Sequence, residues 1–181
     1  MRNIVILPGI GGSGETHWQT HWEREQPDMR RFAPASWDNP DLGAWIGSLD
    51  RAIDGISEPP VLVAHSLACL LIPHWRRTSA RRISGAFLVA VPDASSASFP
   101  IEAAAFAKPP GGRLGFPSLI VSSSNDPFGT RDYARRRADE WGSGLVELGA
   151  LGHINGASGL GGWQEGLNLL RAFEAGAAWA F

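Results

Sequence analysis

Short apolar runs alternate with segments of helical period along nearly the whole chain. This alternation is typical of a parallel sheet covered by helices on both faces, because parallel strands need crossover connections. We therefore expect a three-layer α/β fold with a mainly parallel sheet of about six strands. The predicted strands lie at 4–7, 29–33, 61–64, 85–91, 118–122 and 144–148. The predicted helices lie at 17–25, 42–56, 67–76, 130–141 and 163–173.

The length and composition favour one domain. The chain has 181 residues, of which 44% are hydrophobic. This length supports one large core and is short for two, so we predict a single domain over residues 1–181. The stretch 92–116 departs from the alternation, since it is rich in Ala, Ser, Pro and Gly. It forms either an ordinary crossover with one short helix or the wall or lid of a pocket.

Charge and cysteine content limit the partners and the compartment. The net charge of −2 gives no large field of one sign, so we expect neither nucleic acid nor a membrane surface as a partner. Cys69 is the single cysteine, which excludes an intramolecular disulfide. No apolar run reaches the roughly 18 residues that a membrane span needs, and the opening residues lack a signal-length apolar stretch. We expect a cytoplasmic protein and leave its oligomeric state open.

A serine lies where an apolar strand turns into an apolar helix. Ser66 follows the predicted strand at 61–64 and precedes a predicted helix that begins at Leu67. A nucleophile on such a sharp turn needs small residues two positions before and after it, because the flanks nearly touch. Ala64 and Ala68 meet this size requirement, although glycine is usual at both positions. The same pattern also fits a helix start at which Ser66 is only the capping residue.

Two further strand ends carry residues that can activate this serine. Asp126 follows the predicted strand at 118–122, and His153 follows the predicted strand at 144–148. A serine hydroxyl needs an imidazole to take its proton and a carboxylate to fix the tautomer of that imidazole. Because the carboxyl ends of parallel strands meet at one edge of the sheet, we predict Ser66, Asp126 and His153 as a catalytic triad.

Two neighbouring residues need separate assignments. Asp93 follows the predicted strand at 85–91 and is therefore an alternative acid, since geometry rather than chain position decides that role. His65 directly precedes Ser66, and on a turn its side chain leaves in a different direction. We expect His65 to be a packing or pocket-wall residue.

The first strand is followed by a glycine-rich loop that supports two binding hypotheses. The spacing Gly9-x-Gly11-x-x-Gly14 matches the dinucleotide-binding fingerprint, with Asp38 as a candidate ribose ligand. The loop also copies the glycine spacing of a phosphate-binding loop. Glu15 stands where that loop requires a lysine and would repel the phosphates, so we reject nucleotide hydrolysis.

In a hydrolase the same loop has a different role. Its glycines let backbone N–H groups near Gly9 and Ile10 bind the developing oxyanion, together with the N–H of Leu67. These three residues are the predicted oxyanion hole.

Four motifs together resemble the small serine hydrolases related to the retinoblastoma-binding protein-type, or YdeN-like, family. They are LPGIGGSGETHWQ at 7–19, AHSLA at 64–68, SNDP at 124–127 and GHIN at 152–155. The resemblance covers nearly the whole chain. It implies a compact α/β hydrolase without a large cap domain, with Ser66, Asp126 and His153 as the triad. In such enzymes the strand-to-helix turn that carries the nucleophile, called the nucleophile elbow, usually has glycine two residues before and after the serine. Here these positions are occupied by Ala64 and Ala68.

The family name also suggests a pocket-protein partner, which is recognised through Leu-x-Cys-x-Glu. The corresponding stretch here, LACLL at 67–71, lacks the glutamate and lies in a predicted apolar helix. We do not expect this partner.

These observations predict a serine hydrolase that cleaves a small or medium acyl ester through an acyl-enzyme, with this acyl molecule as its partner. We predict no cofactor and no metal, since His17 and His21 have helical i, i+4 spacing but no third ligand is evident. Two alternatives stay open. One is a dinucleotide-binding protein that uses the glycine loop, and the other is a non-catalytic binding protein on the hydrolase fold.

Overall fold

One six-stranded sheet forms the centre of the computed structural model, which describes residues 3–177. Every neighbouring pair of strands is parallel, and the spatial order is β2-β1-β3-β4-β5-β6. The strands are β1 (Ile4–Leu7), β2 (Met29–Arg31), β3 (Val61–His65), β4 (Gly85–Val89), β5 (Ser118–Ser123) and β6 (Gly144–Leu148). From β1 the chain goes to β2 on one side and then to β3 on the other. In open α/β sheets, ligands bind in the crevice at such a switch.

Helices cover both faces of this sheet. The α-helices are α1 (Trp18–Glu25), α2 (Leu42–Ile53), α3 (Leu67–Thr78), α4 (Arg131–Trp141) and α5 (Gln164–Ala177). Helices α2, α3 and α4 pack on one face, while α1 and α5 pack on the other. Two short 3-10 helices, Ile101–Phe106 and Gly156–Ser158, lie in the connections after β4 and β6.

The strands supply buried side chains to both faces in alternation. In β1, Val5 packs under α2, α3 and α4, whereas Ile4 and Ile6 pack under α1 and α5. In β4, Leu88 and Phe87 divide between the two sides in the same way. Because both faces are covered, such strands are apolar at nearly every position, which is the pattern that the sequence displays.

The predicted α/β fold is confirmed, with all six predicted strands and all five predicted helices present within residues 3–177. The differences are at the ends of elements. The pattern predicts β4 over 85–91, but the strand ends at Val89 because Ala90 has a φ of 57° and turns the chain. The pattern predicts β2 over 29–33, but pairing with β1 ends at Arg31. The single domain over residues 1–181 stays a prediction.

The stretch 92–116 contains the predicted short helix, which is the 3-10 helix Ile101–Phe106. Ala103 and Phe106 of this helix are buried and anchor the connection to the core under α2, α3 and α4. No cap domain is inserted between the described elements, as the resemblance implies. Among the helices within residues 3–177, none combines the length and the apolar character that crossing a bilayer requires.

Candidate active site

Ser66 lies on a strained turn between β3 and α3. Its backbone has φ of 54° and ψ of −125°, a region that residues other than glycine rarely adopt. The Ser66 N–H donates to the carbonyl of Val89 in β4 at 3.0 Å, which ties the turn to the sheet. Ser66 occupies the N-cap position of α3, but its hydroxyl makes no capping hydrogen bond. The hydroxyl is therefore not engaged in capping α3 and is available for other hydrogen bonds.

Hydrogen bonds join Ser66, His153 and Asp126 in one series. His153 Nε2 lies 2.8 Å from Ser66 Oγ, and His153 Nδ1 lies 2.9 Å from each carboxylate oxygen of Asp126. Since a carboxylate only accepts, Nδ1 carries the proton, and Nε2 accepts the hydroxyl proton of Ser66. The side chain of His153 is 9% exposed and that of Asp126 is 2% exposed. The structure thus brings the three predicted side chains together.

Asp126 is itself held in place. Its Oδ1 accepts the backbone N–H of Phe128 at 2.9 Å. The Phe128 ring packs edge-on against the His153 ring, with 4.7 Å between the ring centres. The turn after β5 therefore fixes the carboxylate and covers one side of the imidazole.

Asp93, the alternative acid, has different partners. Its Oδ1 accepts the backbone N–H and the hydroxyl of Ser95, at 2.9 and 2.6 Å. Within residues 3–177 the carboxylate that bonds His153 is that of Asp126, so Asp93 does not occupy the position of the acid. Asp93 instead lines the cavity in front of Ser66.

The glycine loop after β1 packs directly on this turn. A Cβ added to Gly9 would come within 2.9 Å of Ser66 Cβ and 3.3 Å of the Leu67 nitrogen. Within the described residues, the backbone N–H groups of Ile10 and Leu67 donate to no protein acceptor, and both residues line the cavity. These two donors are therefore available to an oxygen atom bound beside Ser66 Oγ.

Four consecutive residues of the loop that carries His153 are each bonded by a different side chain. Two backbone N–H groups are held by side chains from the end of β5 and the turn after it, and two carbonyls are held by side chains of β3 and α1. The bonds are Leu151 N–H to Ser123 Oγ at 3.0 Å, Gly152 N–H to Asn125 Oδ1 at 2.7 Å, His65 Nε2–H to the His153 carbonyl at 3.0 Å, and Trp18 Nε1–H to the Ile154 carbonyl at 2.7 Å. The backbone around His153 is therefore fixed from three elements.

A buried imidazole, that of His65, lies next to His153, and a second, that of His17, lies next to His65. The ring centres of His17 and His65 are 4.7 Å apart, and those of His65 and His153 are 5.0 Å apart. Burial lowers the pKa of His65 well below its usual value. Burial, assisted by the charge of Arg31, lowers the pKa of His17 to about 4. Both rings are therefore neutral at pH 7, and His17 Nδ1 caps α1 by accepting the N–H of Gln19 at 3.2 Å.

A cavity of about 400 Å³ opens in front of Ser66. Its volume lies within the range of about 300–1,000 Å³ that small-molecule sites occupy. No lysine or arginine is among its lining residues within the described chain, and the one carboxylate among them is that of Asp93. Part of its wall is formed by Pro92, Asp93, Ser98, Phe99 and Pro100, so the stretch 92–116 contributes to a pocket as well as to a crossover. The apolar lining residues are Ile10, Leu67, Pro92, Phe99, Pro100, Phe128 and Ala157.

The glycine loop does not present a cradle for a pyrophosphate. The N–H of Gly11 donates to the carbonyl of Trp37 at 3.1 Å, and the N–H of Gly12 donates to the carbonyl of Gly9 at 3.1 Å. The first turn of α1 is capped by His17, whose Nδ1 accepts the N–H of Gln19. Since these donors are already used, the loop gives no support to the dinucleotide hypothesis.

Sequence reasoning did not find the side chains that hold the His153 loop. The expectation that His65 is a packing or pocket-wall residue agrees with its burial and its place in the cavity lining, but its bond to the His153 carbonyl spans 88 positions. The bond from Trp18 to Ile154 spans 136 positions. No local pattern reveals contacts of this range, and the short separation of Ser123 and Asn125 from Asp126 is the one signal that sequence offers.

Known proteins of similar sequence and structure agree with this architecture. A family model described as serine hydrolase matches residues 4–172. A solved structure described as a YdeN-like hydrolase from Pectobacterium atrosepticum is 32% identical, with a TM-score of 0.86 over 97% of this chain and 91% of that chain. Among curated proteins, none matches the chain.

More distant structures share the fold. The ydeN gene product of B. subtilis has a TM-score of 0.80 at 18% identity, over 97% of this chain and 100% of that chain. A monoacylglycerol lipase from Paleococcus ferrophilus has a TM-score of 0.69 at 13% identity, over 95% of this chain and 93% of that chain. The family match and the 32% identical structure confirm the resemblance drawn from the sequence motifs. The chain belongs to the serine hydrolase family, as a small α/β hydrolase of the YdeN-like type.

Proposed function

We propose that this hydrolase cleaves a small or medium acyl ester through an acyl-enzyme, with Ser66 as nucleophile, His153 as general base and Asp126 as the residue that orients His153. One observation carries the proposal. The bonds of 2.8 Å from Ser66 Oγ to His153 Nε2 and of 2.9 Å from His153 Nδ1 to Asp126 form a hydrogen-bonded triad beside a cavity.

In the first half of the reaction, Ser66 Oγ attacks the ester carbonyl carbon while its proton passes to His153 Nε2. Asp126 stabilises the imidazolium that forms. The negative charge on the former carbonyl oxygen is stabilised by the N–H groups of Leu67 and of the loop at Gly9 and Ile10. When the tetrahedral intermediate collapses, the C–O bond to the alcohol breaks, and His153 returns the proton to the leaving alkoxide.

In the second half, water replaces the alcohol. His153 Nε2 takes a proton from the water as its oxygen attacks the acyl carbon of the ester formed with Ser66. The bond to Ser66 Oγ then breaks, Ser66 recovers its proton from His153, and the carboxylic acid leaves. Asp126 stays ionised throughout and keeps the imidazole in the tautomer that both halves require.

The cavity supports a neutral acyl substrate. Its lining within the described residues includes no lysine or arginine that would pair with an anionic acyl group, and Asp93 would repel one. The apolar rings of Phe99 and Phe128 suit a hydrocarbon chain, and about 400 Å³ accommodates a short or medium acyl group. Esters, thioesters and amides share the same attack, so a matched series with one acyl chain ranks the three leaving groups.

A fluorophosphonate probe tests the nucleophile. Wild type and Ser66→Ala are treated with the probe after circular dichroism has shown that both are folded, and labelling is located by mass spectrometry. Labelling of wild type on Ser66, with none in Ser66→Ala, is the expected result. If folded wild type is not labelled, the alternative of a non-catalytic binding protein on the hydrolase fold replaces this proposal. Equal labelling of both proteins would move the nucleophile to another residue.

Cys69 is the natural concern in such labelling, because it lies three residues after Ser66. Its Sγ donates to the carbonyls of Val89 and Ala64, at 3.3 and 3.4 Å, and the side chain is fully buried. Burial raises the pKa of the Cys69 thiol, so it stays protonated and is a poor nucleophile. Reaction at position 69 is therefore not expected.

A further inference from the structure

Ile154, the residue after His153, has a costly backbone conformation. Its φ is 47°, in the left-handed region, and its side chain is fully buried. A β-branched residue is strained in this region because its Cβ crowds the backbone, so such a conformation persists only when the surroundings impose it. The loop that carries His153 therefore needs a restraint that keeps it from relaxing.

The restraint acts on both peptide planes that flank the Ile154 Cα. The carbonyl of the preceding plane, that of His153, accepts a hydrogen bond from His65 Nε2–H at 3.0 Å. The carbonyl of the following plane, that of Ile154, accepts one from Trp18 Nε1–H at 2.7 Å. Fixing the two planes fixes the φ and ψ between them. Both donor side chains are buried, and a hydrogen bond in such low-dielectric surroundings is stronger than one in water.

We propose that His65 is a positioning residue for His153. It directly precedes Ser66 and bonds the backbone of His153, so one side chain links the turn that presents the nucleophile to the residue that takes its proton. The inference rests on the proposed function. It goes beyond the triad because His65, which is not a triad residue, would set the distance between Ser66 Oγ and His153 Nε2.

The chemistry of His65 suits this role. A carbonyl only accepts, so the His65 tautomer is the one with the proton on Nε2. Burial and the neighbouring rings of His17 and His153 lower the pKa of His65, which keeps the ring neutral with a single N–H. A neutral donor holds the carbonyl without placing a second positive charge beside the imidazolium that forms on His153.

The test compares two substitutions of His65 with a control elsewhere. His65→Leu fills similar volume but removes the donor, whereas His65→Gln retains an N–H at a similar distance from the backbone. Trp45→Phe is the matched control, because Trp45 is buried on the face of the sheet opposite to Trp18 and its Nε1–H bonds the carbonyl of Ser36 at 3.1 Å. Trp18→Phe removes the second restraint.

Two readouts are measured for each variant. The first is kcat and KM with p-nitrophenyl acetate. The second is the low-field proton NMR signal of the His153 Nδ1–H that donates to Asp126, which is to be recorded in the resting protein and needs no turnover. Thermal unfolding of each variant shows whether it is folded at the assay temperature.

We expect His65→Leu and Trp18→Phe to lower kcat by about 10- to 100-fold with KM changed about twofold or less, because small displacements of a general base have effects of this size. The low-field signal should broaden or shift in both. His65→Gln and Trp45→Phe should keep the wild-type signal and most of kcat.

Three results would overturn the proposal. They are wild-type kcat in folded His65→Leu, equal loss in His65→Leu and His65→Gln, or an unchanged low-field signal in His65→Leu. Failure of the proposed function looks different, since wild type would then neither hydrolyse the ester nor react with the fluorophosphonate. The NMR comparison decides the role of His65 in that case as well.

Discussion

Gly9 lies so close to Ser66 that no side chain fits between them. A Cβ on Gly9 would meet Ser66 Cβ at 2.9 Å and the carbonyl oxygen of His65 at 3.1 Å. This contact sets the loop after β1 against the turn after β3, at the switch point of the sheet. It also determines where the N–H of Ile10 stands relative to Ser66 Oγ.

Gly9→Ala should therefore impair reactivity of Ser66 without preventing folding. The added methyl group must move the loop by several tenths of an ångström, which misplaces the Ile10 N–H. Loss of one oxyanion donor reduces kcat by about 10²–10³-fold in other hydrolases, so we expect a fall of at least about 10-fold in the rate of fluorophosphonate labelling. Gly14→Ala is the control, because a Cβ there meets nothing within 4 Å. Equal labelling rates in the two variants would contradict the role of Gly9.

Asp126→Asn should separate the two candidate acids. An asparagine amide at this position favours the wrong tautomer of His153, an effect worth about 10⁴-fold in kcat in a serine protease. We expect a loss of about 10³- to 10⁴-fold in ester hydrolysis with little change in circular dichroism. Asp93→Asn should stay within about threefold of wild type, because the amide oxygen of asparagine can still accept both hydrogen bonds from Ser95. The reverse ranking would make Asp93 the acid.

Glycine at the two alanine positions of the elbow should weaken the fold and leave reactivity unchanged. Ala64 and Ala68 are fully buried and pack in the core under α2, α3 and α4. Removing either methyl group loses buried apolar surface and adds backbone freedom, so we expect the free energy of unfolding to fall by about 1–2 kcal/mol for each change. Urea denaturation measures this change. A several-fold increase in labelling rate in Ala64→Gly or Ala68→Gly would instead mean that the methyl groups displace Ser66.

His17 should make stability depend on pH below neutrality. Burial lowers its pKa to about 4 in the folded protein, whereas in the unfolded chain it is near 6.5. Between these values the unfolded state binds the proton and the folded state does not, so stability is present above pH 6.5 and is lost as the pH falls towards 4.

The size of this effect follows from the two pKa values. From pH 7 to pH 5, wild type should lose about 2 kcal/mol more than His17→Asn, in which asparagine can still cap α1. Urea denaturation of both proteins at the two pH values measures the difference. Identical pH dependence in wild type and His17→Asn would show that His17 is not the group responsible, since all other titrating groups are common to both.

Much of the fold and of the candidate site was predictable because the relevant signals are local. Strands buried on both faces must be apolar at nearly every position, so Val61 to Ala64 stood out without knowledge of their neighbours. The chain order of Ser66, Asp126 and His153 at successive strand ends followed from the rule that these ends share one edge of the sheet. The end of β4 at Val89 was missed, because Ala90 has a left-handed φ that its residue type does not signal.

The sequence by itself determined which side chains lie at the carboxyl ends of the strands, because each strand and the residues that follow it can be recognised from a short local stretch of the chain. The tertiary structure decided which of them bond. In the structure His153 bonds Asp126, whereas Asp93 bonds Ser95. His65 and Trp18 donate to the carbonyls on either side of the Ile154 Cα. The bonds of His153, His65 and Trp18 are 2.7 to 3.0 Å long and join residues that are 27 to 136 positions apart. Packing of the whole sheet and its helices sets such distances, and no stretch of sequence contains them.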